Sequence, residues 1–194
     1  MNDHSDGGSI RKLWAADGPA FRDHLLRLDP ATRRNRFGMV AGDEFISRYA
    51  KTSFTLDTLI HGVFVDGHLV GVGELRKLGT SRTEAEAAFS VERDHQGHGF
   101  GSRLMKAVVL SARNRRIRRI YMNCLASNSQ MQRLALKAGA ELEYEGGDVV
   151  GLMVPETPSP VSILREAMGD GYGWATAVVE LQRRSVIDGL FGRA

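Results

Sequence analysis

Between Val91 and Gly101 the chain passes from a strand pattern to a helix pattern through Gly97, Gly99 and Gly101, glycines at alternate positions. Upstream, Arg82–Val91 reads as a strand. Downstream, Leu104, Met105, Val108, Val109 and Ala112 fall on one side of a helix predicted from Gly99 to Arg113. Residues without a Cβ let backbone N–H groups turn together toward one anion. The start of the helix adds the positive end of its dipole. A pyrophosphate suits such a loop, although any tight strand-to-helix turn also uses glycine. No Gly-Lys-Ser/Thr ending is present, which excludes a Walker A loop. A Rossmann fingerprint is excluded too, because Gly97-His98-Gly99 is followed by glycine at position 101 and not at 102.

The flanking elements narrow the fold further. Ser9–Trp14 reads as a first strand, and Asp17-Gly18-Pro19 opens a helix with Asp17 as its N-cap. Asp29-Pro30 ends that helix and starts another over 31–37, and a third runs from Gly42 to about Ala50 with Phe45, Ile46 and Tyr49 inward. Ile60–Val65 and His68–Leu78 flank Asp66-Gly67, a two-residue hairpin signal. With a turn at Gly79–Ser81 they form an antiparallel meander with Arg82–Val91. Arg118–Leu125 follows a helix and is expected to lie parallel to Arg82–Val91. A helix over Asn128–Lys137, closed by Gly139, leads to a strand pair, Leu142–Tyr144 and Val149–Val154. The expected class is α+β: a mixed, mostly antiparallel twisted sheet with one parallel β-α-β crossover and helices on both faces.

Pro155, Pro158 and Pro160 mark a boundary, dividing a domain over 1–154 from a helical extension over 155–194. In the extension, Ser159-Pro160 starts a helix to about Met168, Gly169, Gly171 and Gly173 break it, and a last helix runs from Trp174 to Ile187. Its apolar residues are too many for a free tail. They are expected to pack on the domain or on a second subunit, a homodimer being favoured.

Bulk composition excludes more than it assigns. A chain of 194 residues with 42% hydrophobic and 25% charged residues is ordinary for one globular domain. A net charge of +3 is too mild to argue for nucleic acid. No apolar run is long enough to span a membrane, and the polar start, Met1–Gly8, lacks the marks of a signal peptide. Cytoplasmic location is therefore expected. The lone Cys124 allows no internal disulfide and is expected in the core. His95 and His98 lack partners at metal-ligand spacing, so no metal is expected. The arginine-rich run Arg113–Arg119 suits a helix C-terminus.

The segment Gln96-x-x-Gly99-x-Gly101 resembles the acyl-CoA motif Gln/Arg-x-x-Gly-x-Gly/Ala of the GNAT N-acetyltransferases. The order of elements from Ser9 to Val154 is similar to that family. The run Asn128-x-x-Met131-x-x-Leu134-Ala135-x-x-x-Gly139 looks like the GNAT domain of bacterial protein-lysine acetyltransferases. The resemblance implies acetyl-CoA as cosubstrate. Its pyrophosphate would lie on Gln96, Gly97, His98, Gly99, Phe100, Gly101 and Ser102, its pantetheine arm along Phe89 and Val91, with Asn128 reaching across. It also implies transfer of an acetyl group to a primary amine of a protein lysine or a small molecule. A non-catalytic acetyl-CoA-binding regulatory module is the alternative.

An amine attacks a thioester only when unprotonated, and free lysine has a pKa of about 10.4, so a base is needed. Ala85-Glu86-Ala87-Ala88 precedes Val91 in the way that Ala-Glu-Phe-Ala does in the protein acetyltransferases, whose Glu is the general base; the resemblance makes Glu86 the candidate. Many relatives carry a tyrosine acid where this chain has Ala135. Tyr121 and Tyr144 are expected to be packed strand aromatics. If Leu78 pairs with Arg82, Glu74 stands opposite Glu86, and their repulsion would tune one of them as a base. Glu74 is on that ground a second catalytic candidate.

Overall fold

The computed structural model describes residues 7–80 and 82–171. Within them the alternating patterns give strands β1 (Ser9–Lys12), β2 (Thr58–Val65), β3 (His68–Leu78), β4 (Glu84–Val91), β5 (Arg119–Leu125), β6 (Glu141–Glu145) and β7 (Asp148–Met153). The periodic segments form helices α1 (Gly18–Arg27), α2 (Pro30–Phe37), α3 (Asp43–Thr52), α4 (Phe100–Asn114) and α5 (Ser129–Lys137). A further helix, α6, occupies 160–171. No helix among the described residues is long and apolar enough to cross a membrane.

Local chemistry accounts for most boundaries. Asp66 and Gly67 both take positive φ (49° and 77°), as a two-residue hairpin turn demands, and Val65 faces His68 across it. Asp29 caps α2 by accepting from the N–H groups of Ala31 and Thr32, with Pro30 in the first turn. Asp17 stands at the N-cap position of α1, but its carboxylate is taken by Arg11 and by the N–H of Trp14. It serves to tie β1 to the helix and does not cap it.

The strands form one sheet in the order β1-β2-β3-β4-β5-β7-β6. Among the described residues only β4 and β5 run parallel, and they pair over a short stretch, Glu84–Glu86 against Arg119–Tyr121. Beyond it β4 has no ladder partner on that side, and the two strands diverge. Helices cover both faces. Leu75, Ala87, Ile120 and Met122 pack with Met105 and Val108 of α4 and Ala135 of α5. On the opposite face, Ile60 and Val72 pack with Phe21 and Leu25 of α1 and Ile46 of α3.

The β3–β4 register differs from the expected one. Leu78 faces Glu84, so Arg76 stands opposite Glu86 and Glu74 opposite Ala88. The connection is longer than a three-residue turn: Arg82 takes a left-handed φ of 53°, and β4 begins only at Glu84. The expected Glu74–Glu86 juxtaposition is therefore replaced by an Arg76–Glu86 one.

The segment after β7 folds back on α4. Ser159 and Ser162 exchange side-chain-to-backbone hydrogen bonds at the start of α6. The Glu166 carboxylate accepts from Ser111 (2.7 Å), Asn114 (2.7 Å) and Arg115 (2.6 Å). Arg113 donates to the Thr157 carbonyl and pairs with Glu156. Part of the arginine-rich run thus clasps this segment. Contrary to expectation, α6 continues through Gly169 and Gly171. Val161, Ile163, Leu164 and Met168 are exposed along it. The expected helix from Trp174 to Ile187 lies outside the described residues.

Candidate active site

Where β4 and β5 diverge, a cavity of about 540 Å³ opens between α2, β4 and the starts of α4 and α5. Gly97 and Gly99 hold φ of 83° and 79°, and a Cβ at either would meet nothing within 4 Å. Both positions require glycine for their backbone and leave their surface open. Gly99 is the N-cap of α4, so the N-terminal amides of that helix border the same space. Gln96 braces the loop by donating from Nε2 to the Val91 carbonyl at 3.0 Å.

Of the residues expected to hold a cofactor, Phe89, Val91, Gln96, Gly97, Gly99, Phe100, Gly101, Ser102 and Asn128 all line this cavity; His98 does not. Asn128 also accepts from the N–H of Met131 through Oδ1 at 3.1 Å, capping α5. Arg93, His95, Arg133 and Lys137 also stand in the wall, which among the described residues includes no aspartate or glutamate. A basic wall suits a multiply anionic guest.

Sequence reasoning missed the α2 side of the cavity, Ala31, Thr32, Asn35 and Arg36, and the β4 residue Ser90. For Ser90 a signal existed: strand alternation places it on the same face as Ala88 and Glu86. No spacing rule links α2 to a loop sixty residues later.

Glu74 is buried and forms an ion pair with Arg36, whose Nη2 donates to Oε1. The Tyr49 hydroxyl donates to Oε2 at 2.7 Å and accepts from Arg36 at 2.8 Å. Burial lowers the Arg36 pKa, but the Glu74 and Tyr49 charges and hydrogen bonds together outweigh it, and the net shift is upward. Burial and then the Glu74 charge raise Tyr49. Neither Glu74 nor Glu86 lines the cavity. Glu86 is half-buried on the same sheet face as Glu74, at the end of the parallel pairing, and accepts from Asn123 Nδ2 at 3.2 Å.

Other expected residues are placed as follows. Cys124 is buried and unpaired by any disulfide, and burial raises its thiol pKa. Ala135 is buried in the core. Tyr144 is not packed as expected: it is exposed on β6, the edge strand of the sheet, and its hydroxyl donates to Gln132. The described residues contain no cluster of three or more His, Cys, Asp or Glu side chains suited to a metal ion.

A glycine-rich, amide-lined loop at the mouth of a sheet split between β4 and β5 defines an acyl-CoA-binding type of acyltransferase fold. The chain belongs to the GNAT acetyltransferase family, which it matches over residues 22–140. It is 30% identical over 144 residues to Acetyltransferase PA5475 of Pseudomonas aeruginosa, covering 67% of this chain and 73% of that one. It is 33% identical over 112 residues to Acetyltransferase Pat of Mycolicibacterium smegmatis, covering 55% of this chain and 33% of that one. The chain therefore spans about a third of the length of Pat in the matched region. Among solved structures, the GNAT domain of S. lividans PAT superposes with a TM-score of 0.65 at 20% identity, over 79% of this chain and 99% of that one. The putative acetyltransferase yncA of Salmonella typhimurium, solved with its cofactor acetyl-CoA, superposes with a TM-score of 0.62 at 14% identity, over 79% and 97%.

Proposed function

We propose that this chain transfers the acetyl group of acetyl-CoA directly to a primary amine, with Glu86 as general base. The observation that carries the reading is the cavity itself, in which the Gly97–Gly101 backbone and the start of α4 meet the unpaired edge of β4. The pyrophosphate lies on the loop amides, and the pantetheine arm runs along Phe89 and Val91 toward Glu86. With Oδ1 of Asn128 engaged in the α5 cap, its Nδ2 is the group offered to the cofactor.

The amine enters from the α2 side and gives a proton to Glu86, directly or through a water. Its nitrogen adds to the thioester carbonyl, the carbon–sulfur bond breaks, the departing thiolate takes a proton from solvent, and the acylated nitrogen releases its remaining extra proton to solvent. Asn123 holds the Glu86 carboxylate in place through Oε1. The acceptor is an amine of a protein lysine or of a small molecule.

A transfer screen with labelled acetyl-CoA over lysine-bearing proteins and small amines tests the reading. Transfer that is lost in Glu86→Gln supports it. Binding of acetyl-CoA without transfer to any amine would instead make the chain a cofactor-binding module.

A further inference from the structure

The sheet face that carries Glu86 continues past it toward β6. Strand pairing places Glu86, Tyr121, Leu152 and Glu141 in one row across β4, β5, β7 and β6. Asn123, Val150 and Glu143 form the next row, and Leu125, Asp148 and Glu145 the one after. Side chains at paired positions share one side of a sheet. Here it is the α2 side, because Arg36 of α2 pairs with Glu74, which shares the face with Glu86. The helices α1 and α3 on that side pack over Ile60 and Val72. Beyond β5 the face is open: Asn123, Glu141 and Glu143 are exposed, and Val150 and Leu152 are only half-buried.

Charge on this surface is sorted by sign. Among the described residues, Glu141, Glu143 and Glu145 have no ion-pair partner. Arg76 and Arg119 stand at the other end of the face, Arg76 opposite Glu86 and Arg119 paired with Glu84 at 3.0 Å. Glu145 directly faces Asp148 across the β6–β7 hairpin, a like-charge pair that weakens the sheet edge. Charge on an edge strand blunts pairing with other chains, which accounts for carboxylates on β6. It does not account for the half-exposed apolar floor beside them, Val150 and Leu152, which leads from that edge back to Tyr121 and Glu86. An apolar floor bordered by uncompensated carboxylates complements a polypeptide that carries cations. A small amine would reach Glu86 and leave the floor uncovered. The cofactor cavity has the opposite sign, with Arg93, Arg133 and Lys137 in its wall.

We propose that the acceptor is a protein segment laid across β5, β7 and β6, whose lysine is flanked by a basic residue about four positions away. The lysine meets Glu86, and the flanking cation meets Glu141 or Glu143. The inference rests on Glu86 receiving the amine proton, as described above. Glu86 and Glu141 are three strand spacings apart, about 14 Å. An extended segment covers about 13 Å in four residues, so one segment serves both positions. Glu141 and Glu143 thus select the acceptor at a distance from the reacting atoms, and they repel segments with acidic flanks.

The test uses two nine-residue peptides with blocked termini and a central lysine, one with arginine and one with glutamate at both end positions, alongside n-butylamine. Initial rates of transfer from acetyl-CoA are measured with the whole chain and with the double variant Glu141→Lys, Glu143→Lys. The expected result is a kcat/KM at least about tenfold higher for the arginine peptide, carried by KM, and a difference within about twofold in the double variant. The preference is also expected to shrink as salt rises from about 0.05 to about 0.5 M, which screens exposed charges. The salt series needs no substitution, so it decides even where the double variant does not fold. Equal kcat/KM for the two peptides, a preference kept in the folded double variant, or one indifferent to salt overturns the proposal. Transfer to n-butylamine with none to either peptide overturns it too, and leaves direct transfer standing. Transfer to none of the three probes removes the direct-transfer reading, and this proposal with it.

Discussion

Arg76 stands directly across the β3–β4 ladder from Glu86, on the sheet face that also carries Glu74 and Ala88. Opposite charges facing across strands contribute about 0.2–1 kcal/mol, so the pair fits the sheet without strain. No like charge faces Glu86 across this ladder, and its proposed use as a base rests on its place at the end of the β4–β5 pairing. Glu86→Gln is expected to lower kcat by about a hundredfold, with the Kd for acetyl-CoA unchanged. Steady-state kinetics and a binding titration on the same preparation separate the two effects. An active variant with unchanged kcat returns Glu86 to a surface role.

Glu74 and Arg36 behave as a buried ion pair supported by Tyr49. Removing one partner of such a pair leaves a buried charge uncompensated, so Glu74→Ala is expected to cost about 3–5 kcal/mol in denaturant unfolding. Tyr49→Phe keeps the pair and removes one hydrogen bond, and is expected to cost about 1 kcal/mol. Similar small losses in both variants would mean that the pair is solvated in solution.

His61, buried on β2, lies 2.9 Å from Ser111 Oγ through Nε2. Burial lowers its pKa from 6.5 to about 4, with Lys12 and Arg115 acting in the same direction and Glu166 opposing. The folded pKa lies below the unfolded one, so the unfolded chain binds the proton first as pH falls. Stability is whole above pH 6.5 and is lost progressively down to about pH 4. This one group contributes on the order of 3 kcal/mol across that window. His61→Gln is expected to flatten the limb. His24, shifted in the same direction, keeps part of the slope. Unfolding curves taken at intervals across the window check this, and an unchanged slope in the variant contradicts it.

Glu166 is the main polar anchor of α6 on α4. Glu166→Ala is expected to speed amide exchange across 160–171 by about tenfold, equivalent to ~1.4 kcal/mol, and to leave exchange in the β3–β4 ladder unchanged. The exposed stripe Val161, Leu164 and Met168 remains open to the rest of the extension or to a second copy. Light scattering of a chain ending at Thr157 distinguishes these: a lower oligomeric state than the whole chain identifies the extension as a subunit contact.

Local signals carried most of the architecture. Asp66-Gly67 determined a hairpin and its register because each residue tolerates positive φ. The helical stripe of Leu104, Met105 and Val108 identified α4 because all three sit in the core. The glycine loop was legible for the same reason, since its demand is on the backbone. What failed depended on contacts between distant segments. The β3–β4 register depended on Arg82 adopting a left-handed conformation, which its residue type does not announce. The His24–Ser90 contact joins residues 66 positions apart. Asp17 illustrates the same limit: its sequence position suited a cap, but Arg11 competes successfully for its carboxylate.

Calorimetric titration of acetyl-CoA into the whole chain and into Gly101→Glu tests the central claim most directly. A Cβ at Gly101 meets only the Leu134 side chain, at an ordinary 3.6 Å, and the position lies in the first turn of α4, where a glutamate suits the helix dipole. The variant is therefore expected to fold while placing bulk and negative charge where the pyrophosphate is proposed to lie. The account predicts saturable binding to the unsubstituted chain and a loss of at least about a hundredfold in the variant, some 2.8 kcal/mol. Equal affinities in two equally folded proteins would contradict it.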